Sequence, residues 1–377
     1  MNPAAARRMR LTGMIRKESL QILRDPSSIA IAFIMPVVLL LLFGYGVSLD
    51  ARKVPLAMVV EQPDANSASL VGAFRHSEYF APRLFTSLQE ARQAFDLREV
   101  FGIVWLRNNF SNRLLGQGDA PIGVIINGVD ANQARITGGY IQGVWQAWLA
   151  DYARGRGLTP RVPVVLEPRI WFNAAVRSHN FLVPGLIAVI MTLIGAMLTS
   201  MVVAREWERG TMEALMVTPI RIDELVIGKL APYFLLGMGG MLLSVVMALW
   251  QFDVPLRGSF WALTATSALF MLVALGMGLL ISVVAKNQFV AGQVSIIVTF
   301  LPAFILSGFI FSIGSMPEPI QWITHLIPAR YYVAILQSLF LAGDIWPIML
   351  GNSAALAVMM VVFLGLARRR FHKRLDA

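Results

Sequence analysis

The chain has 377 residues, 56% hydrophobic and only 14% charged, with no cysteine and a formal charge of +10; its mean hydropathy is +0.64. Soluble domains carry about a quarter charged residues, so a soluble or disordered chain is excluded and a membrane protein is expected. Without cysteine there can be no disulfide framework, thiolate metal site or catalytic thiol. The basicity leaves nucleic acid or membrane orientation to be separated by where the 32 Lys and Arg fall.

Residues 1–27 are basic and read as an amphipathic elbow helix, on which Leu11, Met14, Ile15 and Ile22 share a face that Glu18 interrupts. A carboxylate on a purely interfacial face is unfavourable, so Glu18 is expected to face a protein partner or another cytoplasmic segment. Residues 28–49 hold the first span, whose charge-free run Ile29–Val47 carries Pro36 as a predicted kink. This run is longer than the roughly 7–15 residues of a signal-peptide core and no small-x-small site follows Leu49, so an uncleaved helix is expected.

Residues 50–180 alternate in pattern and are long enough to bury a core of their own. Val54–Val60, Arg83–Thr86, Gly102–Leu106 and Pro121–Asn127 read as short strands. Ala68–Phe74, Leu88–Phe95 and Asn132–Arg154 read as helices, Gly116–Asp119 as a turn, and Val162–Phe172 as an extended return. The expectation is an extracytoplasmic α/β domain inserted between the first two spans. Trp145, Trp148 and Trp171 are assigned to core packing or interfacial anchoring ahead of a ligand surface.

Within residues 181–367, five further runs satisfy the roughly 20 apolar residues that a bilayer crossing needs: Phe181–Ala204, Leu230–Trp250, Phe260–Ala285, Phe289–Phe311 and Pro347–Ala367. None carries Asp, Glu, Lys or Arg in its interior, where each would cost about 2.5–3.5 kcal/mol on insertion scales. Residues 312–346 contain Pro317, Pro319 and Pro328 and two short apolar pieces, Ile320–Ile327 and Tyr331–Ala342. Neither can span, and they suit a re-entrant segment, with a loop on the outer surface as the alternative. In the third span, Gly237, Gly239 and Gly240 allow close helix approach, and Met238, Met241 and Met247 are assigned to packing. The expected class is therefore an α-helical membrane protein of six transmembrane helices with an inserted α/β domain and a re-entrant segment before the last helix.

With six spans both ends lie on one side. Sixteen of the 32 basic residues flank the spans there, including the tail 368–377, against Arg257 and Arg330 on the other side; the rest lie in residues 50–180, nearly balanced by acids. The asymmetry predicts both termini in the cytoplasm and removes the support for nucleic acid.

No HExxH, GxSxG, His pair or P-loop is present; Gly228-Lys229 is followed by Leu230. No catalytic or metal-ligating residue is therefore assigned, and ATP cannot be hydrolysed by a P-loop of this chain. The spans also lack the buried acid or base expected of a proton- or ion-coupled carrier, which directs attention to the cytoplasmic loop 205–229. That loop is dense in both charge signs, with a Gly break at Gly210, Thr218 as predicted N-cap and Pro219 at the first position of the next helix. It suits either a short rigid helix docking in a partner's groove or a solvated turn held by Arg205–Glu208 and Arg209–Glu213 pairs.

The pattern Arg205-Glu206-x-Glu208-x-Gly210-Thr211-x-Glu213, then Thr218-Pro219 and Gly228-Lys229, resembles the signature of ABC-2-type transporter permeases. So do Lys17-Glu18, Arg24-Asp25-Pro26, Phe43-Gly44-Tyr45-Gly46, Ser307-Gly308-Phe309-Ile310-Phe311, Met316-Pro317 and Ile327-Pro328. Ser312 and Gln337 depart from the family's usual Pro and Arg, which puts in doubt any role for that external Arg here. The large insert resembles the bacterial drug-efflux subfamily.

The resemblance implies a permease of the bacterial inner membrane, working as a dimer with a second copy or a paralogue, with a separate ABC ATPase subunit, and often with a periplasmic adaptor. ATP and Mg would be bound by the partner ATPase, and no cofactor by this chain. It also implies ATPase coupling through Arg205, Glu206, Glu208, Arg209, Gly210, Thr211, Glu213, Thr218 and Pro219, with elbow contacts from Lys17, Glu18, Arg24 and Asp25. Candidate path residues are Thr192, Thr199, Ser200, Gln293, Ser295, Thr299 and Ser307, although Ser and Thr also bond their own helix carbonyls. An uncharged path points to an amphipathic, drug-like or lipid-like substrate. A secondary transporter and a membrane-anchored external sensor are the competing readings.

Overall fold

The computed structural model describes residues 3–46, 53–97, 99–116, 122–127, 131–155, 178–218 and 220–370. The chain divides into two compact units, one made of Met1–Ser48 and Ile170–Ala377, the other of Leu49–Arg169.

In the first unit, six helices among the described residues are long and apolar enough to cross a membrane: Pro26–Gly46, His179–Glu208, Ile222–Trp250, Phe260–Ala285, Gln288–Leu306 and Trp346–Arg370, here spans 1 to 6. Each contains most of an expected apolar run, with two differences of boundary. Span 3 begins at Ile222, well before the run that opens at Leu230, because Asp223 and Glu224 suit the positive end of a helix. Span 5 stops at Leu306 and does not reach Phe311. Gly308 there has φ +88°, a left-handed conformation that glycine adopts without strain.

Spans 1 and 5 each carry a proline just after a π-helical turn: Ala30–Ile34 before Pro36, and Ile296–Phe300 before Pro302. In an unbroken α-helix the proline ring would collide with the carbonyl four residues earlier, and the wider turn relieves this. The kink expected at Pro36 thus takes the form of a π turn.

Span 2 is the central helix, with 89% of its apolar window buried against 11% for span 6. It packs on spans 1, 3, 4 and 5. Two glycines set the closest approaches. A side chain at Gly278 of span 4 would run into Thr199 and the Ala196 carbonyl of span 2, and one at Gly240 of span 3 into the Ala32 carbonyl of span 1. Thr199 fixes the first contact, its Oγ1 donating to the carbonyls of Gly195 and Leu275 at 3.0 Å.

Between spans 5 and 6 the chain forms the short helix Glu318–Thr324 and the helix Pro328–Gln337, which continues as the π turn Ser338–Ala342. The second helix lies within the bundle against spans 2, 4 and 6 rather than draped over it. Tyr332 stacks on Phe270 with ring centroids 4.1 Å apart, and its hydroxyl shares a 2.6 Å hydrogen bond with Ser267 Oγ.

The second unit is a four-stranded mixed sheet of β1 Val54–Val60, β2 Phe80–Phe85, β3 Gly102–Leu106 and β4 Ile122–Ile126, in the order β2-β1-β3-β4. The pairings β1–β2 and β1–β3 are parallel and β3–β4 is antiparallel. Alternation along β1 sends Leu56 and Met58 to a core with Leu70, Phe74, Ile141 and Trp148, and Ala57 and Val59 to one with Ala91 and Ala94. Helices Ala65–His76 and Ala131–Gly155 therefore cover one face, and Leu88–Asp96 the other. Pro82 sits on the edge strand β2, where its missing N–H costs nothing.

Trp148 is buried and stacks on Trp145 at 5.3 Å, so both belong to the core, as expected. The sequence reading omits one element, the helix Phe110–Gly116. Val162–Phe172, Trp171 and most of Gly116–Asp119 lie outside the described residues.

Replacing Gly278 by Ala should destabilise the chain by about 1–3 kcal/mol through overpacking. Gly351→Ala, where no atom lies within 4 Å of the added methyl, should be neutral or stabilising by up to about 1 kcal/mol. Thermal unfolding of the two purified variants in detergent measures the contrast; equal midpoints would remove the role given to Gly278.

Candidate functional site

The end of the bundle that carries the N-terminal helix Pro3–Leu23 also holds the last turn of span 2, the first turns of span 3 and the start of span 5. The N-terminal helix packs along span 3. Its face Leu11, Met14, Ile15 and Ile22 is directed inward, with Met14 and Ile22 buried. Met14 fits because residue 228 is glycine; a Cβ there would lie 2.6 Å from Met14 Cγ.

Glu18, on the same face, is fully buried and accepts from Lys229 Nζ at 3.0 Å and Lys17 Nζ at 3.1 Å. Lys17 also donates to Glu206 Oε1 at 2.7 Å, and Lys229 to Glu206 Oε2 in a short contact. Two ammonium groups thus alternate with two carboxylates, and Glu18, Glu206 and Lys229 are withdrawn from solvent. Ions so buried are tolerable only as partners, because each alone would carry a desolvation cost of several kcal/mol.

Around this cluster lie further ties. Arg10 grips Glu224 with both arms of its guanidinium at 2.8 Å, the planar two-point geometry that strengthens such pairs. Arg205 donates to Asp25 Oδ2 at 3.2 Å, Gln288 Oε1 at 3.0 Å and Ser27 Oγ at 3.3 Å. Glu208 accepts from the backbone N–H of Gln288 at 3.0 Å. Three residues of one helical turn, Arg205, Glu206 and Glu208, therefore connect span 2 to the N-terminal helix and to spans 1, 3 and 5.

Burial alone would lower the affinity of Lys17 for its proton, but the hydrogen bond and charge of Glu206, with the charge of Glu18, outweigh it and raise the pKa above the usual lysine range. Burial would likewise raise Asp25; the hydrogen bonds from Ser27 and Ser28 and the charge of Arg205 prevail and hold it below the usual carboxylate range.

Beyond span 2, Gly210 turns the chain at φ +69° into the short helix Thr211–Val217. Met212 is buried as its anchor, while Arg209, Glu213, Ala214 and Val217 are exposed, Val217 by 72%. Thr211 Oγ1 donates to the Glu206 carbonyl at 3.2 Å, linking the helix to the ionic cluster. A cleft of about 840 Å³ opens beside it, lined by Arg16, Lys17, Arg24, Arg205 and Arg209 with Asp25 and Glu206 among them. An exposed helix of apolar and charged residues thus stands beside a cation-lined cleft and is fastened to the central span.

The model of the family described as ABC-2 family transporter protein matches residues 26–369. The chain belongs to the ABC-2 transporter family. It is 43% identical over 368 residues to the probable multidrug ABC transporter permease YbhS of Escherichia coli K12, covering 97% of this chain and 98% of that one. It is 28% identical to the probable multidrug ABC transporter permease YbhR of the same strain, over 90% and 94% of the two chains. To the Escherichia coli inner membrane transport permease YhhJ it is 26% identical, over 85% of each. As an ABC-2 permease it is a multi-pass transport subunit rather than an enzyme.

The family signature residues are partly brought together. Lys17, Glu18, Asp25, Arg205, Glu206, Glu208, Gly210 and Thr211 form the connected group described above. Arg24 lines its cleft, and Arg209 and Glu213 project from it. Glu18 faces span 3 of its own chain.

Two local expectations are corrected. Thr218 caps the C-terminal end of the short helix and does not start the next one: its backbone is extended at φ −72°, ψ 156°, as a following proline favours. Span 3 starts instead after Arg221, whose backbone N–H donates to Glu224. Pro219 lies outside the described residues. Arg205 turns to Asp25 and Gln288 instead of Glu208, because span 2 continues through Glu208 and sets those groups on different neighbours.

Of the path candidates, Thr192, Thr199, Ser200, Ser295, Thr299 and Ser307 are buried in the packing of this chain, and Gln293 is exposed. Ser295 Oγ donates to Ser200 Oγ at 2.6 Å between spans 5 and 2, and Thr192 and Thr299 donate to carbonyls four residues earlier in their own helices. The reading from sequence missed Arg10, Glu224, Lys229 and Gln288 as members of the site. The available signal was Glu18: a carboxylate on an apolar face calls for a buried cation.

Replacing Lys229 by Met should destabilise the chain by about 3–5 kcal/mol, because two buried carboxylates would then share only Lys17. Adding Glu206→Gln should restore part of that loss, and thermal unfolding of the single and double variants in detergent measures it.

The pH dependence has opposite signs at its two ends. The contribution of Lys17, raised on folding, is complete below its ordinary value of about 10.4 and is lost as pH rises through the raised one. That of Asp25, lowered on folding, is present above about 3.9 and is lost as pH falls through the lowered one. Lys17→Met should flatten the alkaline decline of the unfolding midpoint and leave the acid decline in place; an unchanged alkaline limb would contradict this.

Proposed function

We propose that this chain is the membrane half of an ATP-driven exporter and that a separate ABC ATPase docks on the short helix Thr211–Val217 and the adjoining cation-lined cleft. Both termini and this face then lie in the cytoplasm, in keeping with the basic residues clustered there. The observation that carries the reading is the attachment of the exposed helix, through Gly210 and Thr211, to the one turn of span 2 that holds spans 1, 3 and 5.

ATP binding can shift the membrane part only through contacts that differ between two states. A push on Glu213 or Val217 moves the short helix, whose first residue Thr211 is hydrogen-bonded to the Glu206 carbonyl, and Arg209 lies within one helical turn of Glu206. From there the ion pairs to Lys17 and Lys229 make the N-terminal helix and span 3 move with span 2. Exposed side chains thus serve recognition, and buried pairs serve transmission.

The membrane is the bacterial inner membrane, and the sheet-bearing unit lies on the periplasmic side, where an adaptor protein would meet it. Two permease copies, or this chain and a paralogue, enclose the path, to which Gln293 and the exposed apolar residues of span 5 contribute. The substrate is amphipathic, drug-like or lipid-like; relatives named as probable multidrug permeases and the absence of charge from the apolar runs of the spans, Phe181–Ala204 and Leu230–Trp250 among them, support this class. The same absence argues against an ion-coupled carrier.

Glu213→Ala should lower permease-dependent stimulation of the co-purified ATPase about tenfold, equivalent to about 1.4 kcal/mol of coupling, while leaving the unfolding midpoint of the permease unchanged. ATPase stimulation and substrate export by the reconstituted complex test this, and full stimulation by the variant would remove the helix from the docking face.

A further inference from the structure

Span 6 packs on span 4 and touches span 3 at few points, which leaves a groove between spans 3 and 6 with span 4 as its floor. The groove encloses about 700 Å³ and is walled by Ile227, Phe234, Leu272 and Val361. Ile227 is half-exposed and Val361 is 66% exposed.

At its mouth stand Arg7 of the N-terminal helix and Arg368 of span 6. A second, more polar cavity of about 750 Å³ adjoins it there, lined by Arg221, Arg368 and Arg369 and sharing Asp223 and Gly365 with the first. Arg7, Arg221, Arg368 and Arg369 thus line the two cavities together with one carboxylate, Asp223, which orients Arg368 through a 2.9 Å ion pair.

The dimensions identify the occupant. At about 1.5 Å per residue the walls run about 12 Å along span 6, from Arg368 to Met360, and about 16 Å along span 3, from Asp223 to Phe234. One leaflet of hydrocarbon is about 15 Å thick, half of the whole. A slot of that depth, apolar inside and cationic at its rim, matches one molecule of one leaflet, with acyl chains below and a negative headgroup above. A second copy of this chain fits poorly, since an isologous contact within one bilayer would bring two sets of these four arginines to the same level of one interface.

We propose that this groove binds an anionic diacyl phospholipid, with acyl chains along the span 4 floor and phosphate among Arg7, Arg221, Arg368 and Arg369. The lipid headgroup bridges the N-terminal helix, the start of span 3 and the end of span 6. It becomes a structural part of the same end of the bundle that holds the ionic cluster.

The test is native mass spectrometry of the full chain in a neutral detergent, offered equal amounts of phosphatidylglycerol and phosphatidylcholine with the same acyl chains. The wild-type chain should retain phosphatidylglycerol preferentially. Arg7→Gln with Arg369→Gln should reduce that preference by about fivefold for each arginine removed. Gly365→Phe meets no neighbour within 4 Å at its Cβ and should plug the groove, cutting retention of both lipids while the unfolding midpoint is preserved.

Equal retention of the two lipids by the wild-type chain would overturn the proposal, as would a preference that survives the double substitution. Complete displacement of phosphatidylglycerol by inorganic phosphate would make the site a plain anion site. A dimer that Gly365→Phe converts to monomer would give the groove to a second copy; either result also overturns it. Should a variant fail to fold, the wild-type lipid competition decides alone.

Discussion

The buried contact between Lys229 and Glu206 constrains everything around it. Neither ion can be left without the other at this depth, because the desolvation each suffers is offset only by its partner. Glu18 and Lys17 complete the balance, so the N-terminal helix, span 2 and span 3 must keep their mutual register wherever these four groups stay together. Such an arrangement adds less to stability than an apolar core of equal volume would. What it adds is a fixed geometry, and a fixed geometry is what a mechanical connection requires. The π turns of spans 1 and 5 and the close glycine contacts at Gly240 and Gly278 lie along the spans beyond this end.

Much of the architecture was legible in the sequence because it follows from single-residue costs. A charge within a span is expensive, so six clean runs announce six helices, and the unbroken apolar run Val54–Val60 announces a strand buried on both faces. The anomaly of Glu18 was equally visible. Its resolution was not, because the partner depends on which residues neighbouring helices bring to the same level. Lys229 read as a loop cation next to an apolar run, but it is a buried residue inside span 3. The bidentate Arg10–Glu224 pair connects residues 214 positions apart, and no local pattern encodes such a separation.

The early starts of spans 3 and 5 share one cause. Hydropathy registers where lipid contact begins, whereas a helix begins where its free N–H groups find acceptors. Glu224 accepts from Arg221, and Asn287 Oδ1 from Val290, so the helices start at these polar residues ahead of the apolar runs. Phe110–Gly116 escaped for a related reason: seven residues, with Phe110 strongly buried, carry too little periodicity to stand out. Its position is set by packing, as Phe110 lies 6.3 Å from Trp148 by ring centroids.

The opening turns of span 3 show how one segment serves several neighbours. Asp223 pairs with Arg368 of span 6, Glu224 with Arg10 of the N-terminal helix, and Lys229 with Glu206 of span 2 and Glu18. Successive residues on a helix point about 100° apart, so these three charges can address three directions without competing. Two of the pairs are withdrawn from water at the span 3 end, with Glu224 and Lys229 both almost fully buried, whereas Asp223 remains partly exposed. The firm connections therefore run from span 3 toward the N-terminal helix and span 2, and the yielding one runs toward span 6. Span 6 is held mainly by its packing on span 4, and its direct tie to span 3 is the solvent-screened Asp223–Arg368 pair.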